Sequence, residues 1–380
     1  MTTMTRTQES TALPRLLLAF ELGQRTWKLG FTVGLGQRPR VREIPAGAVD
    51  RLAEEIRRAK ERWQLPADAP VVSCYEAGRD GFWLHRHLVA RGVTNYVIDS
   101  SSIEVNRRAR RAKTDRLDLG GLLSLLARYV HGDRRVWHVV RVPTVSEEDA
   151  RHLHRTWEMI QQERNRVINR LKGLLATQGV ALPVTGDFLT RIAAARLWDG
   201  AALPPGLMAR LTRVWAHLEL LTAQLRELAT ARAALQPDPT TVPGRYVEQL
   251  QTLRGVGAIG AWLLTTEIFG WREIQNGRQL GALVGVVPAP YQSGDTSHDQ
   301  GITRAGNRHV RRLMIQLAWS WLRYQPDSAL SRWYRDRFGR GPRLRRIGIV
   351  ALARKLLIAL WRYVATGALP EGANLKPRAA

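Results

Sequence analysis

The stretch Leu16-Leu-Leu-Ala-Phe-Glu-Leu22 is an apolar run of strand length with one carboxylate set into it, and the fold is read outward from there. Two more short apolar runs follow, at residues 27–33 and 41–44, so the three together predict strands in a hairpin meander. Helical spacing takes over at residues 50–63. Buried strands are then predicted at 71–75 and 96–98, separated by a helix at 82–90. A meander followed by alternating helix and strand describes an α/β layer fold spanning residues 1–145.

Glu21 decides more than topology, because an unpaired ionised carboxylate inside such a strand would cost several kcal/mol if buried, so a cationic group is expected to meet it. Glu76 ends the second apolar strand, Val71-Val-Ser-Cys-Tyr-Glu76, just before Gly78. Strand ends in open α/β sheets commonly present ligand groups. Asp115 and Asp118 lie three apart in Lys113-Thr-Asp-Arg-Leu-Asp118, so both belong to the first turn of a helix that Thr114 caps. Taken alone, that pair also suits the positive end of a helix dipole. Taken together, four carboxylates from two strands and one helix, in the order of a ribonuclease H type of fold, can hold Mg²⁺, with Mn²⁺ as the alternative, for phosphoryl transfer. Arg107, Arg108, Arg110, Arg111 and Lys113 lead straight into this helix and would hold phosphates there; a basic loop of no special role is the other reading.

Composition narrows the partners. The chain has 380 residues, enough for two or three domains, and 44% hydrophobic content excludes a disordered or fibrous chain. Lys and Arg number 58 against 33 Asp and Glu, a formal charge of +25, which favours a polyanionic partner, nucleic acid first. No stretch reaches the ~18 apolar residues of a membrane span, and the expected location is the bacterial cytoplasm with no membrane partner. Cys74 is the single cysteine, which excludes a disulfide framework or a thiolate zinc cluster and leaves oxygen ligands for any catalytic metal.

Beyond Pro143 the pattern turns helical. In residues 146–240, Leu153, Trp157, Ile160, Val167, Leu171 and Leu174 mark one helix face. Leu211, Val214, Leu218, Leu221, Leu225 and Leu228 alternate spacings of three and four, a coiled-coil signature that an ordinary intramolecular helix pair would also produce. A Pro-rich joint opens a helical domain at 241–380. Between Gly301 and Leu369 it carries fifteen Lys or Arg against two Asp or Glu, on helices that also hold Trp319, Trp321, Trp333 and Trp361. That is the composition of a nucleic-acid surface, although for the thirteen tryptophans as a set the core is the default. Leu253-Arg-Gly-Val-Gly-Ala-Ile-Gly260 reads as a helix-hairpin-helix-like element in which Gly255 and Gly257 let backbone N–H groups approach a phosphate; close helix packing is their alternative use. In Gly285-Val-Val-Pro-Ala-Pro-Tyr-Gln-Ser-Gly294, Ser293 is expected in a flexible, exposed turn. The basic run that follows contributes Arg304, Asn307, Arg308, Arg311 and Arg312 as candidate nucleic-acid contacts.

The order Glu21, Glu76, Lys113-Thr-Asp-Arg-Leu-Asp118, Leu253-Arg-Gly-Val-Gly257, then Gly285-Val-Val-Pro through Arg304-Ala-Gly-Asn307, resembles the DEDD insertion-sequence transposases of the "one-ten" family over nearly the whole chain. The resemblance implies a RuvC-like N-terminal domain, a central coiled coil and a C-terminal transposase domain. It also implies DNA donor and target, a non-coding bridge RNA as guide, and a homo-oligomer built as a dimer of dimers with active sites shared between subunits. On that pattern Glu76, Asp115 and Asp118 are metal ligands, and Ser293 attacks a phosphate to give a phosphoserine. Two departures stand out: the family commonly has Asp where this chain has Glu21, and the first of two consecutive serines is replaced by Gln292, leaving Ser293, with Ser297 in reserve. The expected activity is RNA-guided DNA strand cleavage and exchange; the alternatives are a RuvC-like metal-dependent junction nuclease and a non-catalytic nucleic-acid-binding protein.

Overall fold

The computed structural model describes residues 14–78, 81–103, 115–235, 238–293, 296–339 and 341–377. The chain divides into two compact units, Met1–Pro143 and Thr144–Ala380.

In the first unit the meander forms as the apolar runs predict: β1 (Leu16–Leu22), β2 (Thr26–Thr32) and β3 (Arg40–Pro45) pair antiparallel. After α1 (Val49–Arg62), the chain adds β4 (Val71–Glu76), α2 (Trp83–Val89) and β5 (Thr94–Ile98). β4 lies parallel to β1 and β5 parallel to β4, giving a mixed sheet of order β3-β2-β1-β4-β5. Period-two alternation divides β1 between two cores. Leu16, Leu18 and Phe20 pack with Leu52 and Ala59 of α1 and Leu84 and Leu88 of α2. Leu17 and Ala19, with Val72 and Cys74 of β4, pack on the opposite face under Leu119, Leu122, Leu123 and Leu126 of α3 (Asp115–Val130).

The second unit is helical apart from one hairpin. α4 (Val145–Asp149) starts in a capping box made by Thr144 and Glu147. α5 (His152–Ala176) and α7 (Pro205–Ala234) run antiparallel, with the short α6 (Phe188–Ala194) wedged at their joined end. Arg164 meets Thr222 at 3.4 Å, and the Arg232 guanidinium lies 4.5 Å from the Trp157 ring centroid further along the pair. The leucine stripe of α7 therefore closes within the chain: Leu211, Trp215, Leu218 and Leu221 are buried against Val167, Leu171 and Leu175 of α5 and Phe188 of α6.

α8 (Val242–Gln251), α9 (Ala258–Leu264), a π-helical turn (Thr265–Phe269) and α10 (Gly277–Val284) follow. Then come β6 (Pro288–Ser293) paired with β7 (Thr296–Ile302), α11 (Arg308–Tyr324), α12 (Ala329–Phe338) and α13 (Pro342–Thr366). α13 is the axial helix: Leu352, Ala353, Leu356, Leu357 and Leu360 are wholly buried among α8, α10, α11 and α12. The β6–β7 hairpin corrects the expectation of a flexible turn around Ser293, which is the last residue of β6 and pairs with Thr296. No described helix is long and apolar enough to cross a membrane.

Candidate functional site

The first group of candidate residues collects at one edge of the five-stranded sheet. The β1–β4 register ends with Phe20 opposite Tyr75, so Glu21 and Glu76 are the next residues on two adjacent parallel strands. Both follow the parity of Leu17, Ala19, Val72 and Cys74, which puts them on the face that α3 covers. The direction of α3 follows from its neighbours. Ser124 and Ala127 lie near Thr32, which pairs with Leu17, whereas Leu119 and Leu123 close over Gly30, which pairs with Ala19. Four residues further back along the helix, about 6 Å at 1.5 Å per residue, Asp115 begins α3 at the level of Glu21. Asp118 shares that first turn; the side chains of both aspartates, and all of residues 104–114 with Arg107, Arg108, Arg110, Arg111 and Lys113, lie outside the described residues.

The cation that Glu21 calls for is supplied by the sheet itself, since the antiparallel register sets Lys28 directly opposite it, where paired Cβ atoms stand ~5 Å apart. Glu76 is exposed at the strand end. Burial, and then the Glu76 charge, push the Cys74 thiol far above its ordinary range, so Cys74 is a neutral core residue rather than a nucleophile. The donors at this edge are all carboxylate oxygens, which fits a hard cation such as Mg²⁺. Among the described residues no three His, Cys, Asp or Glu side chains gather as a ready metal cluster.

Ser293 belongs to the second unit, and the structure explains why the segments around it have the sequence they do. Gly285 ends α10 in the left-handed conformation at φ 71°, and a Cβ there would meet the Ala305 carbonyl oxygen at 1.9 Å. Gly306, at φ 94°, would place a Cβ 2.2 Å from the Leu283 carbonyl oxygen. The chain entering the hairpin and the chain leaving it thus cross at two glycines. Three backbone bonds fasten the crossing: Thr303 N–H donates to Val287 (3.0 Å), Arg304 N–H to Gly285 (3.2 Å) and Asn307 N–H to Leu283 (2.8 Å). The Arg311 guanidinium adds a bond to the Val284 carbonyl at 2.9 Å. Ser297, the reserve candidate, pairs with Gln292 one rung from Ser293; the side chains of residues 290–300 lie outside the described set.

Asn307 does two jobs. Its side-chain oxygen caps α11 by accepting from His309 and Val310 N–H, and its amide donates to Glu267 at 2.7 Å. Glu267, on the π-helical turn and with no side-chain exposure, also receives a two-pronged contact from Arg155 of α5, each arm 2.9 Å. Burial alone would raise the Glu267 carboxyl, but Arg155 and Asn307 outweigh it and hold it below the usual carboxylate range. Beside it, His309 pairs with Glu158, and Arg312 approaches the same carboxylate at 4.0 Å. His154 is buried between Trp157 and Trp262, and burial pushes its ring down to about 4 against the pull of Glu158. Sequence reasoning did not find this network. The available signal was Glu267 inside the apolar run Trp262-Leu-Leu-Thr-Thr-Glu-Ile-Phe269, the same anomaly that singled out Glu21.

The glycine hairpin sits between α8 and α9. The Gly255 carbonyl accepts from Ser320 of α11 at 2.8 Å, and at φ 86° a Cβ there would lie 3.4 Å from the Ser320 carbonyl oxygen, so Gly255 serves close helix packing; Gly257, the residue before α9, has open space where a Cβ would stand. Arg304, Arg308 and Arg312 are exposed.

The model of the transposase IS116/IS110/IS902 family matches residues 247–333, the stretch that contains the glycine hairpin, Glu267, the β6–β7 hairpin and α11. The chain is 38% identical to "Putative transposase y4rJ" of Sinorhizobium fredii over 96% of its own length and 95% of the relative's. It is 28% identical to the transposase for insertion sequence element IS1328 of Yersinia enterocolitica, over 60% of this chain and 67% of that one. With the transposase for insertion sequence element IS1111A of Coxiella burnetii the identity is 24%, over 63% of each chain. The end-to-end match and the family pattern over the clasped hairpin together place this chain in the IS116/IS110/IS902 family of transposases.

Proposed function

We propose that this transposase is an RNA-guided serine recombinase with a ribonuclease-H-like carboxylate centre in its first unit. The observation that carries the reading is the convergence of Glu21 and Glu76 on one face of one sheet edge, with the first turn of α3, and so Asp115 and Asp118, arriving at the same level. Two carboxylate residues on adjacent strands and a helix start carrying two more, all distant in sequence, support this reading. Those four residues would hold Mg²⁺, which when bound supplies charge stabilisation to a DNA phosphate in transfer.

The serine chemistry follows from Ser293 and the clasp around it. The Ser293 hydroxyl oxygen attacks the scissile phosphorus, a P–O bond to serine forms as the P–O3′ bond breaks, and the serine proton ends on the departing 3′ oxygen. The reverse attack by the 3′-hydroxyl of an exchanged strand rebuilds a phosphodiester and returns the proton to Ser293, so no bond energy is lost to hydrolysis. Gly285, Gly306 and the Asn307–Glu267–Arg155 chain fix both ends of the hairpin, as a nucleophile that must meet a phosphate within about 0.5 Å requires. A net charge of +25, and fifteen cations against two anions between Gly301 and Leu369, supply the surface for DNA and a guide RNA. A dimer of dimers is the assembly expected of the family.

The test uses full-length protein, Mg²⁺, the RNA transcribed beside the element and DNA carrying the element's junction, resolved on a denaturing gel. Wild type should give a protein–DNA adduct that needs the RNA; Ser293→Ala and Asp118→Asn should give none while still binding DNA. Free cut DNA from both wild type and Ser293→Ala would make the chain a water-using nuclease instead. Rearrangement that survives Asp118→Asn would remove the carboxylate centre from the reaction.

A further inference from the structure

The exposed face of α11 joins two of the candidate nucleic-acid arginines, Arg308 and Arg312, to residues that carry no role so far. Arg308, Arg312, Gln316, Trp319 and Arg323 are all exposed, and at 3.6 residues per turn they fall within about 80° of one another, forming a single stripe. From Arg308 to Arg323 the stripe runs about 22 Å. The helix has no acidic residue of its own. The one described carboxylate held against this stripe is Glu158, 4.0 Å from Arg312 and already paired with His309. Trp319 is 50% exposed in the middle of the stripe, although its neighbour Trp321 is fully buried and bonded to Ser328 at 2.9 Å. At the far end the stripe opens into a groove where Arg323 meets Arg254, the Gly255 backbone and Tyr324, itself 50% exposed with the Arg323 guanidinium 5.5 Å from its ring centroid.

We infer that this stripe binds an unpaired polynucleotide strand, with Arg308 and Arg312 on phosphates at one end, Arg323 on a phosphate several nucleotides further along, and Trp319 and Tyr324 as stacking platforms for bases. Cations alone would suit a duplex equally well. The two half-exposed rings decide the class, because bases inside a duplex have no free face to offer them, whereas every unpaired base does. A stripe of about 22 Å accommodates six or seven nucleotides at a stacked rise of about 3.4 Å. The proposal rests on the reading of this chain as a nucleic-acid enzyme but not on the chemistry of Ser293, since binding is measured without cleavage.

The experiment titrates labelled octanucleotides of RNA and of DNA, and a blunt DNA duplex of the same length, with full-length protein at fixed salt. Trp319→Ala should weaken both single strands on the order of tenfold while leaving the duplex unchanged, and Trp319→Phe should restore most of the loss. Arg323→Ala should lower the slope of log K against log salt for single strands by about 0.7, one phosphate contact. Preference for RNA would assign the stripe to a guide strand and preference for DNA to a displaced one; either supports the inference. Single-strand affinity untouched by Trp319→Ala, or duplex affinity falling with it, would overturn the inference. Wild-type protein that binds neither strand form would instead overturn the nucleic-acid reading itself.

Discussion

Glu267 illustrates how a single buried charge is made tolerable and then used. Its carboxylate has no exposed surface and is answered by two arms of Arg155 and the amide of Asn307, so that removing a partner leaves an under-compensated buried charge. Arg155→Ala should therefore destabilise the protein by roughly 2–4 kcal/mol, read as a fall in the urea midpoint without a change in slope. His154 behaves oppositely. Burial holds its ring near 4, below an unfolded value of about 6.5, so between those values the unfolded chain takes up the proton that the folded chain refuses. Stability is full above about pH 6.5 and falls as pH drops towards 4. Comparing melting temperatures at pH 7.5 and 5, we expect His154→Phe to lose part of this pH dependence; Glu158, Arg232, Glu267 and His309 remain as neighbouring charges.

At the scale of elements, the β6–β7 hairpin is only as well placed as the crossing beneath it. Gly306→Ala introduces a Cβ 2.2 Å from a backbone oxygen at positive φ, where neither atom belongs to a flexible side chain. A cost of about 2–3 kcal/mol and loss of strand cleavage out of proportion to that cost are expected, the first by denaturant titration and the second by adduct yield at a temperature where the variant is folded. This hairpin was also the element least legible in the sequence. Pro288 and Pro290 demote a strand, and Thr296-Ser-His-Asp-Gln lacks the apolar alternation that marks one, so its pairing depends on the clasp at its base rather than on its own residues. The meander and parallel strands were legible to within two residues, because β1, β2 and β4 are buried apolar runs that have no competing period. The α7 stripe was legible as a seam but not as to its partner, since a heptad pattern is the same whether α5 or another chain closes it.

For the whole molecule, the carboxylate edge and the clasped serine hairpin belong to separate compact units, and each was visible in the sequence to a different degree. Glu21 and Glu76 stand out in the sequence because a carboxylate in an apolar strand is conspicuous, and the register sets them side by side on adjacent strands. The Glu267 network was missed because Arg155 and His309 look like ordinary surface residues, and Asn307 like a nucleic-acid contact, until α5 and α11 pack. On the proposed reading Asp115 and Asp118 join Glu21 and Glu76 at this edge, where like charges repel, so a cation that binds there should stabilise the fold by mass action. Mg²⁺ should raise the melting temperature of the wild type and leave that of Glu76→Gln nearly unchanged. Chelation with EDTA should stop strand cleavage without unfolding the chain.

In the proposed reaction Ser293 itself becomes bonded to DNA. The most direct measurement is mass spectrometry of the nuclease- and protease-digested adduct, which locates the nucleotide on one peptide and one residue. A 5′-phosphonucleotide on Ser293 is the predicted result. The same mass on Ser297, on another side chain, or on no peptide while DNA is cut would rule out Ser293 as the nucleophile.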